Sequence, residues 1–344
     1  MKKYKNTIII LLLIPLSACQ LFLGPEPDTS PKAIFYNLWN DFNNIHANLD
    51  LRMSSNPRYN NWQEVYDYHS NNLKDRMTDN DLFELCLNML KVLNDPHVSL
   101  HAPGRNDYSY TDTNPEHFYL SEVKKHLTGS GSEVYKNFLY GKFTLSPHIG
   151  YIHIKTFTPE TYEWGRAIDR IIRELSDTKA IVLDIRNNSG GEIQILEFIV
   201  SRFIAERKDY MTVSVKSGPE PNSFSAPVVY TARPSGSNYT KPVVLITNKG
   251  TVSAAERFTL ALRTQSHVIH TGTTTLGALS KRHRRPMANG WFYSISPERS
   301  ADMNGKIYEG IGISPTDFCA YGPEDKQLIR ALELAETAVN SGGL

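Results

Sequence analysis

The serine at position 253 combines a reactive side chain with the local pattern that nucleophilic catalysis requires. The apolar run 242–246 predicts a short buried strand, and Ala255 and Phe258 begin a helical spacing of apolar residues after it. Ser253 therefore lies where a strand turns into a helix, shortly after Gly250, which permits a tight turn. At such a junction the unpaired N–H groups of the helix start can stabilise a developing oxyanion. The pattern predicts a nucleophilic serine.

The same serine also has a purely structural interpretation. Glu256 follows Ser253 by three residues, which is the spacing of a capping box, and many helices carry this box for stability alone. Taken by itself, the stretch favours the helix cap. The catalytic interpretation therefore depends on the other segments of the chain.

A second strand-to-helix turn carries two consecutive glycines. The apolar run 180–185 predicts a buried strand, and it leads through Arg186 into Gly190 and Gly191. A Gly-Gly turn between strand and helix can bring bare N–H groups close to a ligand. The Gly-Lys-Ser/Thr ending of a phosphate-binding loop is missing from this sequence, so that interpretation is excluded.

Histidines near position 100 are the remaining groups suited to acid–base chemistry. In a strand over 97–101, His97, Ser99 and His101 would share one face. Pro96 precedes the first histidine and no glutamate follows it, so a helical zinc pair is not expected. Taken alone, such a histidine is more often a hydrogen-bonded structural residue.

Hydrophobic periodicity indicates the elements that must position these groups. Three helical patterns precede His97 and predict a small helical subdomain, and alternating strand and helix patterns then predict an α/β region. Segments 103–140 and 217–240 are polar or rich in turn formers, and Asn289-Gly290 is a hairpin signal after the basic run 281–285, which we interpret as a solvated face. The helical patterns cover 34–45, 62–73, 82–93, 162–175, 195–203, 255–262 and 328–335, and the strand patterns cover 97–101, 149–154, 180–185, 242–246 and 267–270.

The first residues have the pattern of an export signal. Three lysines within the first five residues precede the apolar run 8–13, which is short for a membrane span. The sequence Leu16-Ser17-Ala18-Cys19 resembles the bacterial lipoprotein box, and this resemblance implies that Cys19 is acylated and becomes the mature N-terminus. The proline-containing segment 19–32 is interpreted as a tether.

Charge and cysteine content exclude few classes of protein. The 37 basic and 36 acidic side chains nearly balance, so charge does not indicate nucleic acid as a partner. Beyond Cys19, only Cys86 and Cys319 remain. Two such distant cysteines do not make a disulfide framework, although one bridge stays open, and we interpret both as structural.

Several motifs, in order, resemble those of the C-terminal processing (tail-specific) serine peptidases and their tricorn-core relatives. Residues 184–191 resemble the family's Asp-x-Arg-x-Asn-x-Gly-Gly turn, and residues 251–256 resemble its nucleophile motif. Residues 272–277 and 309–315 resemble its two closing motifs. The resemblance covers roughly residues 34–320.

Departures from the family pattern distinguish its branches. The processing branch places a catalytic lysine directly after the Gly-x-x-Thr-x-Gly motif, where this chain has Ala278. The tricorn-like branch uses a histidine after the N-terminal helices and a late glutamate, which His97 and Glu309 match. The chain has Pro96 where the family often has glycine, and it lacks the serine that precedes the histidine in tricorn. Residues 103–148 are too few for the family's inserted peptide-binding PDZ domain.

The resemblance implies a serine peptidase mechanism. Ser253 attacks a peptide carbonyl, His97 takes its proton and returns it to the leaving amine, and Glu309 orients the imidazole. Two alternatives stay open: Lys281 as the base of a Ser-Lys dyad, and a peptide-binding lipoprotein that has lost catalysis.

The resemblance also implies the oxyanion donors and the absence of cofactors. The N–H groups of Ala254 and of Gly190 or Gly191 are the expected donors. No metal or organic cofactor is implied.

The sequence therefore predicts an α/β fold, with an N-terminal helical subdomain packed on a mixed-sheet α/β peptidase core. The predicted function is that of a lipid-anchored endopeptidase of a bacterial cell envelope, at the periplasmic face or the cell surface, acting on peptides or unfolded proteins. Nucleic acid is not expected as a partner. The predicted segments are a signal peptide at 1–18, a tether at 19–32, the helical subdomain at 33–102, a connecting segment at 103–140 and the core at 141–344.

Overall fold

The computed structural model describes residues 26–105, 108–109, 118–134, 136–158 and 163–342. The predicted signal peptide and Cys19 lie outside the described residues. The helices are α1 (Pro31–Ile45), α2 (Leu49–Ser54), α3 (Trp62–Ser70), α4 (Asp79–Lys91), α5 (Leu120–His126), α6 (Trp164–Glu174), α7 (Ile193–Val200), α8 (Ala254–Leu262) and α9 (Lys326–Asn340). The strands are β1 (Ser99–His101), β2 (Tyr108–Ser109), β3 (Ser132–Val134), β4 (Phe138–Lys142), β5 (Ile149–Ile154), β6 (Ala180–Asp184), β7 (Lys208–Val215), β8 (Val228–Ala232), β9 (Val243–Thr247), β10 (Val268–Gly272), β11 (His283–Pro286), β12 (Phe292–Ile295), β13 (Glu298–Asp302) and β14 (Asp317–Phe318).

A seven-stranded sheet in the order β14-β10-β9-β6-β5-β4-β3 forms the centre of the molecule. Its strands from β14 to β5 pair in parallel, whereas β4 and β3 pair antiparallel, so the sheet is mixed. The registers Asp184↔Ile246 and Thr247↔Gly272 bring the carboxyl ends of β6, β9 and β10 to one edge. The chain therefore leaves these strands through three neighbouring turns, which is where open α/β sheets place ligand sites.

Helices cover both faces of this sheet. The cluster on one face joins β5, β6 and β9 to helices α6, α7 and α8, and the cluster on the other face packs α5 and α9 against the alternate residues of the same strands. Every residue of β6 is buried, which explains why its sequence is a continuous apolar run instead of an alternating one. The predicted mixed-sheet α/β fold is confirmed.

The N-terminal helices form their own cluster together with a distant hairpin. Trp291, Tyr293 and Ile295 from the hairpin β11–β12 pack among the apolar faces of α1, α3 and α4. Strand β1 pairs with β12, with Ser99 opposite Ser294, in a four-stranded sheet of order β11-β12-β1-β2. The hairpin, which comes late in the chain, is therefore packed into the N-terminal helical part.

Two local predictions were wrong, and one helix was not predicted. The predicted strand 97–101 is formed only from Ser99, because His97 lies in a turn after α4. The predicted loop 217–240 contains β8, which pairs with β7. The predicted connecting segment contains α5, a helix too short to show helical periodicity. Cys86 and Cys319 are both free thiols. Among the described helices, none has the length and apolar composition needed to cross a membrane.

Candidate active site

Ser253 occupies a strained position at the strand-to-helix turn. It lies between β9 and α8 with φ 60° and ψ −119°, in a region that residues with a Cβ rarely adopt. A sharp turn of this kind raises a side chain above the sheet edge, as in the nucleophile turn of serine hydrolases. Ser253 is half-buried, and its N–H donates to Glu256 Oε2 at 3.1 Å, so the capping contact and the candidate nucleophile occur at the same residue.

Glu256 ties this turn to the loop that follows β10. Its fully buried carboxylate also accepts hydrogen bonds from Thr275 Oγ1 at 2.6 Å and from the N–H groups of Gly277 and Ala278, both at 2.7 Å. Burial raises the pKa of this carboxyl, and these hydrogen bonds oppose the rise. Ala278, at the family's lysine position, is completely buried. From its spacing in the sequence, Glu256 was expected only to cap the helix.

The Gly190–Gly191 turn packs directly against the serine turn. A Cβ on Gly190 would lie 2.9 Å from both Ala254 N and Ser253 Cβ, and one on Gly191 would lie 2.3 Å from the Phe157 carbonyl carbon. Both glycines also have positive φ, at 92° and 141°. Any side chain at position 190 would collide with the serine turn, and any side chain at position 191 would collide with the Phe157 backbone, so both positions require glycine.

Only some of the predicted oxyanion donors are available. The Gly190 N–H already donates to Asn188 Oδ1 at 2.9 Å. For the Gly191 and Ala254 N–H groups, the described part of the chain offers no acceptor. Of the three candidate oxyanion donors, the N–H groups of Gly191 and Ala254 therefore remain.

His97 is fixed in the turn between α4 and β1. Its N–H donates to Asp95 Oδ1 at 2.7 Å, and Ser294 Oγ donates to its carbonyl oxygen at 2.6 Å. The ring is only 8% exposed, and Nδ1 has no hydrogen-bond partner among the described residues. One ring nitrogen and one carboxylate oxygen each of Asp95 and Glu309 all lie within 4.8 Å of one another.

The two carboxylates beside His97 are held by different parts of the chain. Asp95 Oδ2 lies 2.8 Å from His46 Nε2, whereas Glu309 Oε2 accepts the N–H groups of Leu279 and Ser280 at 2.9 and 3.3 Å. The Arg52 Nη2 lies 3.4 Å from Glu309 and 3.9 Å from Asp95, so one guanidinium serves both carboxylates. The contributions of His46, Arg52 and Asp95 were not predicted.

Burial and neighbouring charges separate the proton affinities of this cluster. Burial opposes ionisation of Asp95, but His46 and Arg52 outweigh it and hold the pKa below its usual range. Burial and the Asp95 charge raise the pKa of Glu309 to about 8, against the opposing charge of Arg52. Burial lowers the pKa of His97 to about 4, Asp95 opposes this, and the charges of Arg282, Arg257 and Arg52 add to it. His97 is therefore a neutral imidazole at neutral pH.

Asp95, His97 and Glu309 are also close enough together to be considered as metal ligands. Their carboxylate oxygens, however, already accept the hydrogen bonds described above, and Arg52 supplies positive charge at the place a cation would take. These contacts favour an ion-paired cluster of protein groups over a metal site.

Ser253 and His97 line one cleft of about 750 Å³, together with Gly190 and Gly191. Lys281 lines the same cleft, but its side chain is exposed. A larger cavity of about 1080 Å³ lies in the N-terminal helical part and contains neither Ser253 nor His97. The chemistry of the residues therefore identifies the smaller cleft as the candidate site.

Known proteins resemble this chain over about half of its length. Carboxy-terminal processing protease CtpB of Bacillus subtilis is 29% identical over 182 residues, which cover 51% of this chain and 36% of CtpB. CtpA of the same organism is 30% identical over 169 residues, which cover 49% of this chain and 34% of CtpA. The alignments thus span about a third of the length of these relatives.

One solved structure resembles nearly the whole described fold. The structure of a candidate peptidase from Parabacteroides merdae superimposes with a TM-score of 0.81 at 24% identity, covering 91% of this chain and 99% of that one. At this identity the likeness bears on the fold alone. It covers a larger share of the chain than the sequence relatives do.

The sequence model of peptidase family S41 matches residues 148–317. Ser253, the Gly190–Gly191 turn and Glu309 all lie within this segment, whereas His97 and Asp95 lie before it. With this match and the fold in agreement, residues 148–317 belong to peptidase family S41.

Proposed function

We propose that this protein is a serine endopeptidase that hydrolyses peptide bonds in peptides or unfolded proteins. The observation that carries the proposal is that a strained, raised Ser253 and a buried neutral His97 line one cleft. The names of CtpA and CtpB, both processing proteases, support the same reaction class. Ala278 in place of the lysine, together with His97 and Glu309, favours the tricorn-like arrangement of the site.

The reaction begins when Ser253 Oγ attacks the substrate carbonyl carbon while His97 accepts the hydroxyl proton. The imidazolium then returns this proton to the nitrogen of the leaving amine as the peptide bond breaks. Water attacks the acyl-enzyme in the second half, again losing a proton to His97, and the serine regains its proton when the acid product leaves. The Ala254 and Gly191 N–H groups stabilise the oxyanion in both halves.

Glu309 and Asp95 stabilise the imidazolium in this scheme. Asp95 stays ionised, and Glu309 tends to hold a proton in the free enzyme, so the pair titrates as a unit. Once Glu309 has lost its proton, its carboxylate can accept the Nδ1–H of His97 and leave Nε2 as the base. Arg52 restrains both carboxylates.

A Ser-Lys mechanism is the second candidate, because Lys281 lines the same cleft. A lysine base must lose its proton near neutral pH, and burial is the usual way to achieve this. The Lys281 side chain is exposed, so that contribution is missing. His97 therefore remains the proposed base.

Peptide cleavage by single-residue variants tests these alternatives. The wild type and the Ser253→Ala, His97→Ala and Lys281→Ala variants are incubated with a mixed peptide library, and products are identified by mass spectrometry. We expect folded Ser253→Ala and His97→Ala proteins with cleavage reduced by several orders of magnitude, and a far smaller loss in Lys281→Ala. A fully active Ser253→Ala protein refutes the proposal, and loss only in Lys281→Ala supports the dyad. Tight peptide binding without any cleavage by the wild type indicates a binding protein.

We further propose that Cys19 carries a lipid anchor that holds the enzyme at a bacterial cell envelope. The support is the sequence alone: a basic start, an apolar run and Leu16-Ser17-Ala18-Cys19. Mass spectrometry of the protein from cells should show an acylated N-terminal Cys19, and Cys19→Ser should release or misprocess the protein. An unmodified N-terminus elsewhere contradicts the anchor.

A further inference from the structure

Two exposed cations border the candidate cleft without an acidic partner. Lys281 and Arg282 both line the cleft beside Ser253 and His97, and the described residues place no carboxylate in contact with either side chain. Arg257 lines the same cleft but is buried and engaged: it donates to the Leu279 carbonyl at 2.8 and 2.9 Å and to Glu298 at 2.5 Å. The cleft therefore contains one neutralised cation and two free ones.

The backbone that carries these cations is hydrogen-bonded to Glu309, the proposed positioning residue for His97. The N–H groups of Leu279 and Ser280 donate to Glu309, and the Lys281 N–H donates to Glu298 Oε2 at 3.1 Å. Ser280 Oγ in turn accepts the Glu298 N–H at 3.1 Å. Lys281 and Arg282 thus directly follow two residues, Leu279 and Ser280, whose N–H groups are held by Glu309.

The charge balance of the cleft favours an anionic ligand group. The lining residues that carry a charge at neutral pH are the three cations Arg257, Lys281 and Arg282 and the two acids Glu192 and Glu298. Glu298 is neutralised by Arg257, which leaves Glu192 against the two free cations. Free cations at the rim of a cleft attract and orient ligand carboxylates.

We propose that Lys281 and Arg282 bind a carboxylate of the substrate close to the scissile bond, so that the cleft selects acidic peptide segments. This inference rests on the proposed peptidase function. The carboxylate can belong to an aspartate or glutamate side chain or to the C-terminus of the substrate, since both present the same group.

Such binding would also assist the proposed base. Burial is the main cause of the lowered pKa of His97, and the charge of Asp95 opposes it. Among the neighbouring cations, Arg282 lowers this pKa most, followed by Arg257 and Arg52. A substrate carboxylate on Arg282 would offset part of this positive charge. His97 would then accept the Ser253 proton more readily when an acidic substrate is bound.

Matched peptides test the inference. A peptide that the wild type cleaves is made with glutamate or glutamine at each of the four positions on either side of the scissile bond, and each peptide is made with a free or an amidated C-terminus. We expect kcat/KM to be about tenfold higher for the acidic member at one position, as for a charge-assisted hydrogen bond, and the ratio to fall with added salt. A loss on amidation instead assigns the carboxylate to the C-terminus of the substrate.

Charge-reversal variants supply the second arm. Arg282→Glu and Lys281→Glu should each lower the acidic-to-neutral ratio of kcat/KM at least threefold, and Arg282→Glu should favour lysine at that position. Arg284→Glu is the matched control, because Arg284 is also exposed in the hairpin but stacks on Phe292 and does not line the cleft. The control should keep the wild-type ratio.

The outcomes separate the two proposals. No cleavage of any peptide by the wild type refutes the peptidase function itself. Cleavage that requires Ser253, with equal kcat/KM for glutamate and glutamine peptides and for both C-termini, overturns the carboxylate inference and leaves the peptidase function intact. Equal loss of preference in Arg282→Glu and Arg284→Glu also overturns it, since general surface charge would then be the cause.

Discussion

Replacing Asp95 by asparagine should move the acidic limb of the pH–rate profile to lower pH. In the proposed mechanism both His97 and Glu309 must be unprotonated, and the group with the higher pKa sets the limb. That group is Glu309. Burial and the charge of Asp95 raise the pKa of Glu309 to about 8. Asparagine keeps the size of Asp95 and an oxygen for the His97 N–H, but it removes the negative charge.

The geometry sets the size of the shift. The oxygens of Asp95 and Glu309 lie within 4.8 Å, and at an effective dielectric constant of about 20 two unit charges at that distance interact by about 3.5 kcal/mol. This corresponds to about 2.5 pH units for two unscreened charges at that distance. The charges of Arg52, Glu256 and His97 also act within this cluster, so we expect a shift of about one to two pH units. Its sign is fixed: removing a negative neighbour makes the Glu309 proton easier to lose.

The assay is kcat/KM for one cleaved peptide between pH 5 and pH 10. The wild type should show a limb near pH 8, and Asp95→Asn a limb near pH 6–7. Asp50→Asn is the control, because Asp50 is a partly exposed carboxylate of α2 that pairs with Arg299. A limb that stays in place or rises in Asp95→Asn refutes the reasoning, and a wild-type limb below pH 6 refutes a proton on Glu309.

Three further substitutions and modifications test the packing around the site. Gly190→Ala should lower the free energy of unfolding, measured by urea denaturation, by about 1–3 kcal/mol, because the new Cβ would lie 2.9 Å from Ala254 N and Ser253 Cβ. Gly290 has a similar φ but lies in open space, so Gly290→Ala should lower the free energy of unfolding by less. Equal losses in the two variants would contradict the close contact at Gly190. Glu256→Gln should destabilise the protein by about 2–4 kcal/mol and lower kcat, since an amide cannot accept all four of the hydrogen bonds that Glu256 accepts; an unchanged melting temperature would argue against this role. Burial raises the pKa of the Cys86 thiol to about 12, so iodoacetamide at pH 8 should modify the partly exposed Cys319 and spare Cys86 until the protein unfolds, as peptide mapping can measure.

The central strands were predictable because their sequence records their burial on both faces. All residues of β6 and β9 are buried, so each reads as an apolar run that ends at a turn. Strand β8 could not be predicted in this way. Val228 and Val229 are 60% and 48% exposed, and the strand depends on pairing with β7, which its own sequence does not encode.

The position of Ser253 at a strand-to-helix turn could be predicted for a related reason. Ser253 and the two glycines owe their positions to turns only a few residues long, and short patterns specify such turns. The surroundings of His97 could not, because His46 and Asp95 are 49 residues apart and Arg52 and Glu309 are 257 residues apart. Nothing in a local pattern indicates which carboxylate a buried arginine will contact.

The site is assembled across two parts of the chain, and the hairpin β11–β12 connects them. Ser253 belongs to the central sheet, whereas His97 comes from the turn after α4, outside the segment that the S41 family model matches. Ser294 of the hairpin donates to the His97 carbonyl, and Trp291 packs among the N-terminal helices. The same hairpin begins directly after the cations Lys281 and Arg282 that line the cleft. Packing in the helical part therefore helps to determine where His97, the proposed base, lies relative to Ser253. Substitutions there can lower kcat while leaving the nucleophile turn intact.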